Sequence, residues 1–212
     1  MNVAGIALGP LQTNVYLVWD NEEEAVLIDP GGEPEKLRAW ISGLAVRPRA
    51  ILLTHAHFDH VGAVAAAARE YAAPVYLHPL ALPVYRRAVE AARNWGFRIE
   101  PPPAADPLPL TEGGFVVGPG FTVLHLPGHC PGHVAFYNRA AAAAFAGDVL
   151  FAGGVGRWDI PSANKEQLQA TIRKLFGLPA ETTIYPGHGP ATTLAAERSG
   201  NRYVRSWLEA SS

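Results

Sequence analysis

The apolar run at residues 50–53 passes directly into Thr54-His55-Ala56-His57-Phe58-Asp59-His60, and no other segment narrows the possible folds so far. Three histidines and a carboxylate within six residues bring no packing benefit, because such groups enter protein interiors only when paired or bound to an ion. In an extended segment, residues two apart point the same way, so His55 and His57 can chelate one ion. If the chain then turns into a helix beginning near Val61, Asp59 and His60 project to one side, within reach of a second ion close by. The segment therefore calls for a strand that ends in a metal-binding turn, with a helix behind it.

Later residues occupy equivalent places. His129 follows the apolar run 121–126 in Pro127-Gly128-His129-Cys130-Pro131-Gly132. Asp148 closes the run Ala144-Phe145-Ala146-Gly147, and His188 lies between glycines just after a strand expected at 183–185. Each stands where a strand finishes, the usual place for sites in layered α/β proteins. Five histidines and two carboxylates form a donor set that suits zinc, with iron and manganese as alternatives.

Other short strands are expected at 3–8, 14–19, 25–28, 75–77, 115–117, 134–137 and 144–146. Helices are expected after Pro34, over 61–71, 82–95 and 165–176, and in one or two further segments to the end. The proline-rich stretch 101–109 reads as a loop between two halves of similar style, and strand runs mixed with helices in each half indicate an α/β layered architecture. Of the 212 residues, 49% are hydrophobic, which excludes a disordered chain. A formal charge of −2 gives no sign of a nucleic-acid or anionic-membrane partner, and the longest apolar runs are too short to span a bilayer. The first residues lack the basic-then-apolar pattern of a signal peptide. The single cysteine, Cys130, rules out an internal disulfide framework and fits a reducing compartment, so a cytoplasmic protein is expected.

Taken with Leu11-Gln12-Thr13-Asn14, Leu27-Ile28-Asp29-Pro30-Gly31 and Gly156-Arg157-Trp158-Asp159, the histidine pattern resembles the metallo-β-lactamase-fold hydrolase superfamily. Within it, the chain is most similar to the glyoxalase II-like branch in its short bacterial form, from about Leu8 to Thr193. The resemblance implies an α/β fold, a four-layer αββα sandwich forming one domain over residues 1–212, with a two-metal site at one edge. Carried over by position, His55, His57 and His129 would hold the first metal, Asp59, His60 and His188 the second, and Asp148 would bridge them. Asp29 would steady the histidine loop from behind. Two divalent ions, zinc ahead of iron or manganese, would activate water for attack on a carbonyl, with Asp59 orienting it or accepting its proton.

The implied partner is a small-molecule thioester, such as S-lactoylglutathione or a related hydroxyacyl thioester. A mononuclear iron persulfide dioxygenase is the alternative on the same fold. Only 24 residues (212 − 188) follow His188, so the helical C-terminal extension that helps longer relatives bind glutathione is expected to be missing. Arg157 either contacts substrate or pairs with Asp159. Residues 82–109, with Arg86, Arg87, Arg93, Trp95 and Arg98, form either a lid or a solvated helix and loop. The Asp59–His60 pair argues against class B lactamase action.

Overall fold

The computed structural model describes residues 1–20, 25–114 and 118–209, and the strand expected at 115–117 lies outside them. The first of two main sheets runs β1 (Asn2–Leu8), β2 (Thr13–Trp19), β3 (Val26–Ile28), β4 (Ala50–Leu52), β5 (Val75–Leu77) and β6 (Leu108–Pro109), in spatial as well as chain order. β1, β2 and β3 pair antiparallel, whereas β3 to β6 pair parallel. The second has β7 (Phe121–His125), β8 (Val134–Asn138), β9 (Ala143–Gly147), β12 (Thr183–Pro186) and β13 (Thr192–Thr193) side by side. Only β9 and β12 are parallel there. A small hairpin, β10 (Leu150–Phe151) with β11 (Gly154–Val155), stands apart.

Composition explains which strands lie inside. β3 and β4 read Val-Leu-Ile and Ala-Ile-Leu and are buried on both faces, as strands covered from two sides must be. β1, at the edge, carries exposed and half-buried residues along nearly its whole length. Between the sheets, Tyr16, Val18, Ile28 and Leu52 meet Phe121, Phe136 and Phe145. Truncating one of those phenylalanines to alanine costs about 3–5 kcal/mol. The outer face of the first sheet is covered by α1 (Pro34–Gly43), α3 (Val64–Tyr71), α4 (Leu82–Arg86) and α5 (Ala88–Asn94). The outer face of the second is covered by α6 (Lys165–Leu175), α7 (Leu194–Gly200) and α8 (Arg202–Glu209). Asn164 caps α6 by accepting a hydrogen bond from the Gln167 N–H. The result is the four-layer αββα arrangement that the resemblance implies.

Three boundaries differ from the pattern-based expectation. Residues 61–71 are not one helix: α2 (Phe58–Val61) begins inside the histidine motif, and α3 restarts beyond Gly62 and Ala63. Gly62 packs so closely on the Asp29-Pro30-Gly31 turn that a Cβ there would lie 2.3 Å from the Gly31 carbonyl oxygen. The 82–95 helix breaks at Arg87, whose N–H bonds to the Val84 carbonyl in a tighter turn. The 101–109 loop ends in β6, whose proline is tolerated because the strand lies at the sheet edge. Among the described residues, no helix is long and apolar enough to cross a membrane.

Candidate metal centre

The C-terminal ends of β3, β4, β9 and β12 converge at one edge of the two sheets. The sheets are tied there by Asn14 N–H to the Gly187 carbonyl (2.7 Å) and Val134 N–H to the Thr54 carbonyl (2.8 Å). All seven residues expected to bind metal meet at this edge. His55, His129 and Asp148 each offer a donor atom within 4.8 Å of the other two, and so do Asp59, His60 and His188. His57 Nδ1 lies 2.9 Å from His129 Nε2. His60 Nε2 is 3.4 Å from Asp148 Oδ1, and His188 Nε2 is 3.3 Å from Asp59 Oδ2. His129 Nε2 and His188 Nε2 each stand 3.6 Å from Asp148 Oδ2. Donors bound tetrahedrally to one zinc at about 2.0–2.2 Å are separated by roughly 3.3–3.6 Å, so this spacing suits donors that share an ion.

The outward nitrogens are spoken for, which selects the inward ones. Asp29 accepts from the Thr54 N–H (2.8 Å) and the Thr54 hydroxyl (2.6 Å). With its one proton committed to Asp29, Thr54 Oγ1 accepts from His55 Nδ1 at 3.0 Å, leaving His55 Nε2 facing inward. Asp29 also accepts a hydrogen bond from His60 Nδ1 (3.0 Å). His129 Nδ1 donates to the Arg157 carbonyl and His188 Nδ1 to the Leu11 carbonyl. Asp29 thus orients the histidine loop through two residues at once.

Sequence reasoning missed several supporting groups. Thr13 Oγ1 donates to Asp59 Oδ2 at 3.0 Å, and Tyr16 OH donates to the Pro186 carbonyl ahead of His188. His133 accepts the Asp148 N–H at 3.1 Å and stacks on His55. The Thr13 motif was visible in the sequence, but its partner lies 46 residues away. Gly147 and Gly187 leave the necessary space: a Cβ on Gly187 would sit 2.1 Å from Asp148 Oδ1, and Gly147 adopts φ +46° against Thr54.

Charge divides the cluster. Burial, reinforced by neighbouring imidazoles, drives His55 well below its usual range and takes His57 down to about 3. Burial opposes protonation of His60 too, yet Asp148 and Asp59 hold it well above its usual value. His188 is raised against its own burial by Asp59 and Asp148. Both carboxylates are depressed despite burial, Asp59 by His60 and His188, and Asp148 mainly by His60 and His129. Ionised carboxylates and neutral imidazoles are the forms a metal takes.

An ion also answers an otherwise unexplained feature. His55 Nε2, His60 Nε2 and Asp148 Oδ1 are buried and have no hydrogen-bond partner. Orphaned buried polar atoms are costly, and three of them aimed into one cluster fit a cation. Cys130 is buried nearby, its thiol pushed well up by burial. Above the cluster opens a cleft of about 660 Å³. Of the residues read as either a lid or a solvated helix and loop, Arg87 and Trp95 line it, while Arg86 turns away to Asp106 (2.8 Å). Arg157 reaches the cleft with its guanidinium bound to Asp159 (2.9 Å). His78 and His125 stack on each other outside the cluster.

A family description, the metallo-beta-lactamase superfamily, matches residues 8–188. Hydroxyacylglutathione hydrolase GloC of Haemophilus influenzae is 37% identical, over 97% of this chain and 99% of its own. Among solved structures, TTHA1623 in a di-iron-bound form is 54% identical with a TM-score of 0.90, over 95% of this chain and 100% of its own. BLEG-1, a B3 metallo-beta-lactamase, is 39% identical with a TM-score of 0.87, over 96% of this chain and 99% of its own. By its fold, its donor cluster and a match covering most of its length, the chain belongs to the metallo-β-lactamase superfamily.

Proposed function

We propose that this metallohydrolase is a thioesterase of the glyoxalase II-like kind, acting on a small-molecule thioester. The observation that carries the reading is the set of buried polar atoms without partners, one of them on Asp148, which lines an open cleft. Similarity to a hydroxyacylglutathione hydrolase over nearly the whole chain supports the reaction class.

In this reading His55, His57 and His129 would hold one ion and Asp59, His60 and His188 another, with Asp148 within reach of His60, His129 and His188 alike. Bound there, two divalent ions would polarise an acyl carbonyl and bring the pKa of a water to about 7. Zinc suits the donors, and iron is what the similar TTHA1623 structure carries. Asp59 is ionised and pinned between the Thr13 hydroxyl and His188, so it is placed to orient a water and take its proton. Asp29, through Thr54 and His60, keeps the inward nitrogens aimed. Cys130 contributes no nucleophile, because its buried thiol resists ionisation.

The test is metal analysis of the purified protein, paired with assays on thioesters including S-lactoylglutathione, on glutathione persulfide and on a β-lactam. Thiol release that stops on chelation and returns with added metal is expected. Sulfite from the persulfide with one iron per chain would establish the dioxygenase in its place, and turnover of the lactam alone would establish a lactamase.

A further inference from the structure

The walls of the cleft differ chemically from its floor. Leu11, Phe58, Val84, Trp95, Phe151 and Ile160 line it. Trp95 leaves 56% of its surface exposed and Leu11 38%, an unusual outlay of apolar surface at one opening. Trp95 is braced: its ring lies 6.2 Å from that of Phe58, which packs 5.8 Å from Phe97. Phe58 is the residue before Asp59, so this aromatic platform is joined directly to the metal cluster.

Among the described residues, two cations reach the same cleft, and each already has a carboxylate. Arg87 donates to Glu90 at 3.0 Å, with Glu90 also lining the cleft, and Arg157 donates to Asp159 at 2.9 Å. Glutathione carries two carboxylates, and their recognition calls for arginine or lysine free to pair with them. The lip is locally neutral. Resting on the reading of the centre as a thioesterase, we infer that its preferred substrate is a thioester with an apolar, uncharged acyl chain. That chain lies on Trp95 and Leu11, and a glutathione carrier forms no ion pair with the lip.

The experiment compares kcat/KM on the metal-loaded enzyme for the acetyl, butyryl and hexanoyl thioesters of N-acetylcysteamine and for S-lactoylglutathione. Each methylene that reaches the wall is expected to raise kcat/KM about fourfold. The hexanoyl ester is expected to exceed S-lactoylglutathione by at least about tenfold. Trp95→Ala should reduce the hexanoyl-to-acetyl ratio about tenfold, mainly through KM, with Trp95→Phe restoring most of it. Arg87→Ala should alter turnover of S-lactoylglutathione less than about twofold. A flat chain-length series overturns the inference, as does a preference for S-lactoylglutathione that collapses in Arg87→Ala.

Calorimetry with the uncleavable thioether S-hexyl-N-acetylcysteamine separates the cleft from the reaction. Binding to wild type about tenfold tighter than to Trp95→Ala supports the apolar wall even if no thioester turns over, in which case only the thioesterase reading fails. Equal binding to the two proteins overturns the inference whatever the enzyme hydrolyses.

Discussion

On the His55–His57–His129 side of the centre, imidazoles pack on one another with ring centroids 4.6–5.2 Å apart. On the Asp59–His60–His188 side, histidines of the same intrinsic basicity face ionised carboxylates at 3.3–3.6 Å. Burial alone would make every one of them neutral. The first pair, His55 and His57, obeys it, whereas His60 and His188 are pulled the other way by Asp59 and Asp148. The difference teaches that His55 and His57 meet an ion with free lone pairs, while His60 and His188 must first give up protons.

The hardest blow to both sides is Asp148→Ala, because Asp148 stands within reach of His60, His129 and His188 together. Loss of both ions is expected, with activity down about a thousandfold or more, equivalent to the several kcal/mol such ions contribute. Metal content per chain and kcat/KM check it. A variant that keeps two ions would show the sides to be independent, and the comparison would need to be redrawn.

Acid should separate the sides next. His57, at about 3, has no proton to displace across the neutral and mildly acidic range, and His55 is shifted in the same direction. His60 and His188, with raised pKa values, hold protons that an ion must expel, so binding on their side weakens as pH falls. Lowering pH from about 8 to about 5 is expected to reduce the stoichiometry from two ions to one. Equilibrium dialysis with metal analysis measures it, and simultaneous loss of both ions at a single pH would break the contrast. In metal-free protein the signs oppose as well. Protonation of His60 favours folding below its unfolded value of 6.5 and the benefit fades as pH rises, whereas His57 costs stability as pH falls from 6.5 towards about 3.

Asp29→Asn should be milder and lopsided. The carboxylate accepts from His60 directly but reaches His55 only through Thr54. An amide must turn one donor towards groups that are themselves donors. Affinity on the His60 side is expected to fall about 10–100-fold, with a smaller loss on the His55 side. Stepwise metal titration followed by calorimetry resolves the two. Equal losses would mean that Asp29 holds the whole loop rather than one ring.

The donors were legible in the sequence because each stands at the end of an apolar strand, where spacing and composition are both informative. His55 and His57 carry the two-residue period of a strand, and His188 follows Thr183–Pro186 directly. The groups behind them were not legible in the same way. Thr13 reaches Asp59 across 46 residues and His133 reaches Asp148 across 15, contacts that depend on how two sheets register at one edge. No local period records that. The same holds for the fold: β3 and β4 announce themselves by being wholly apolar, but Leu108–Pro109 becomes a strand only because β5 offers it an edge.

Arg157 shows the limit within one residue, and it yields the smallest expected effect. The sequence leaves its side chain either a substrate contact or a partner of Asp159, and in the structure the guanidinium is bound to Asp159, with both groups more than half exposed. Its backbone carbonyl is the part that touches the centre, accepting from His129 Nδ1 at 3.0 Å. That contact survives substitution, since every residue supplies the same carbonyl. Arg157→Ala is therefore expected to change kcat/KM less than about threefold and to leave two ions bound, in keeping with the small worth of exposed ion pairs. A larger fall in kcat/KM with metal content intact would place the guanidinium on the substrate. It would also show that the lip of the cleft carries usable charge, against the neutral lip drawn from the Arg157–Asp159 and Arg87–Glu90 pairs.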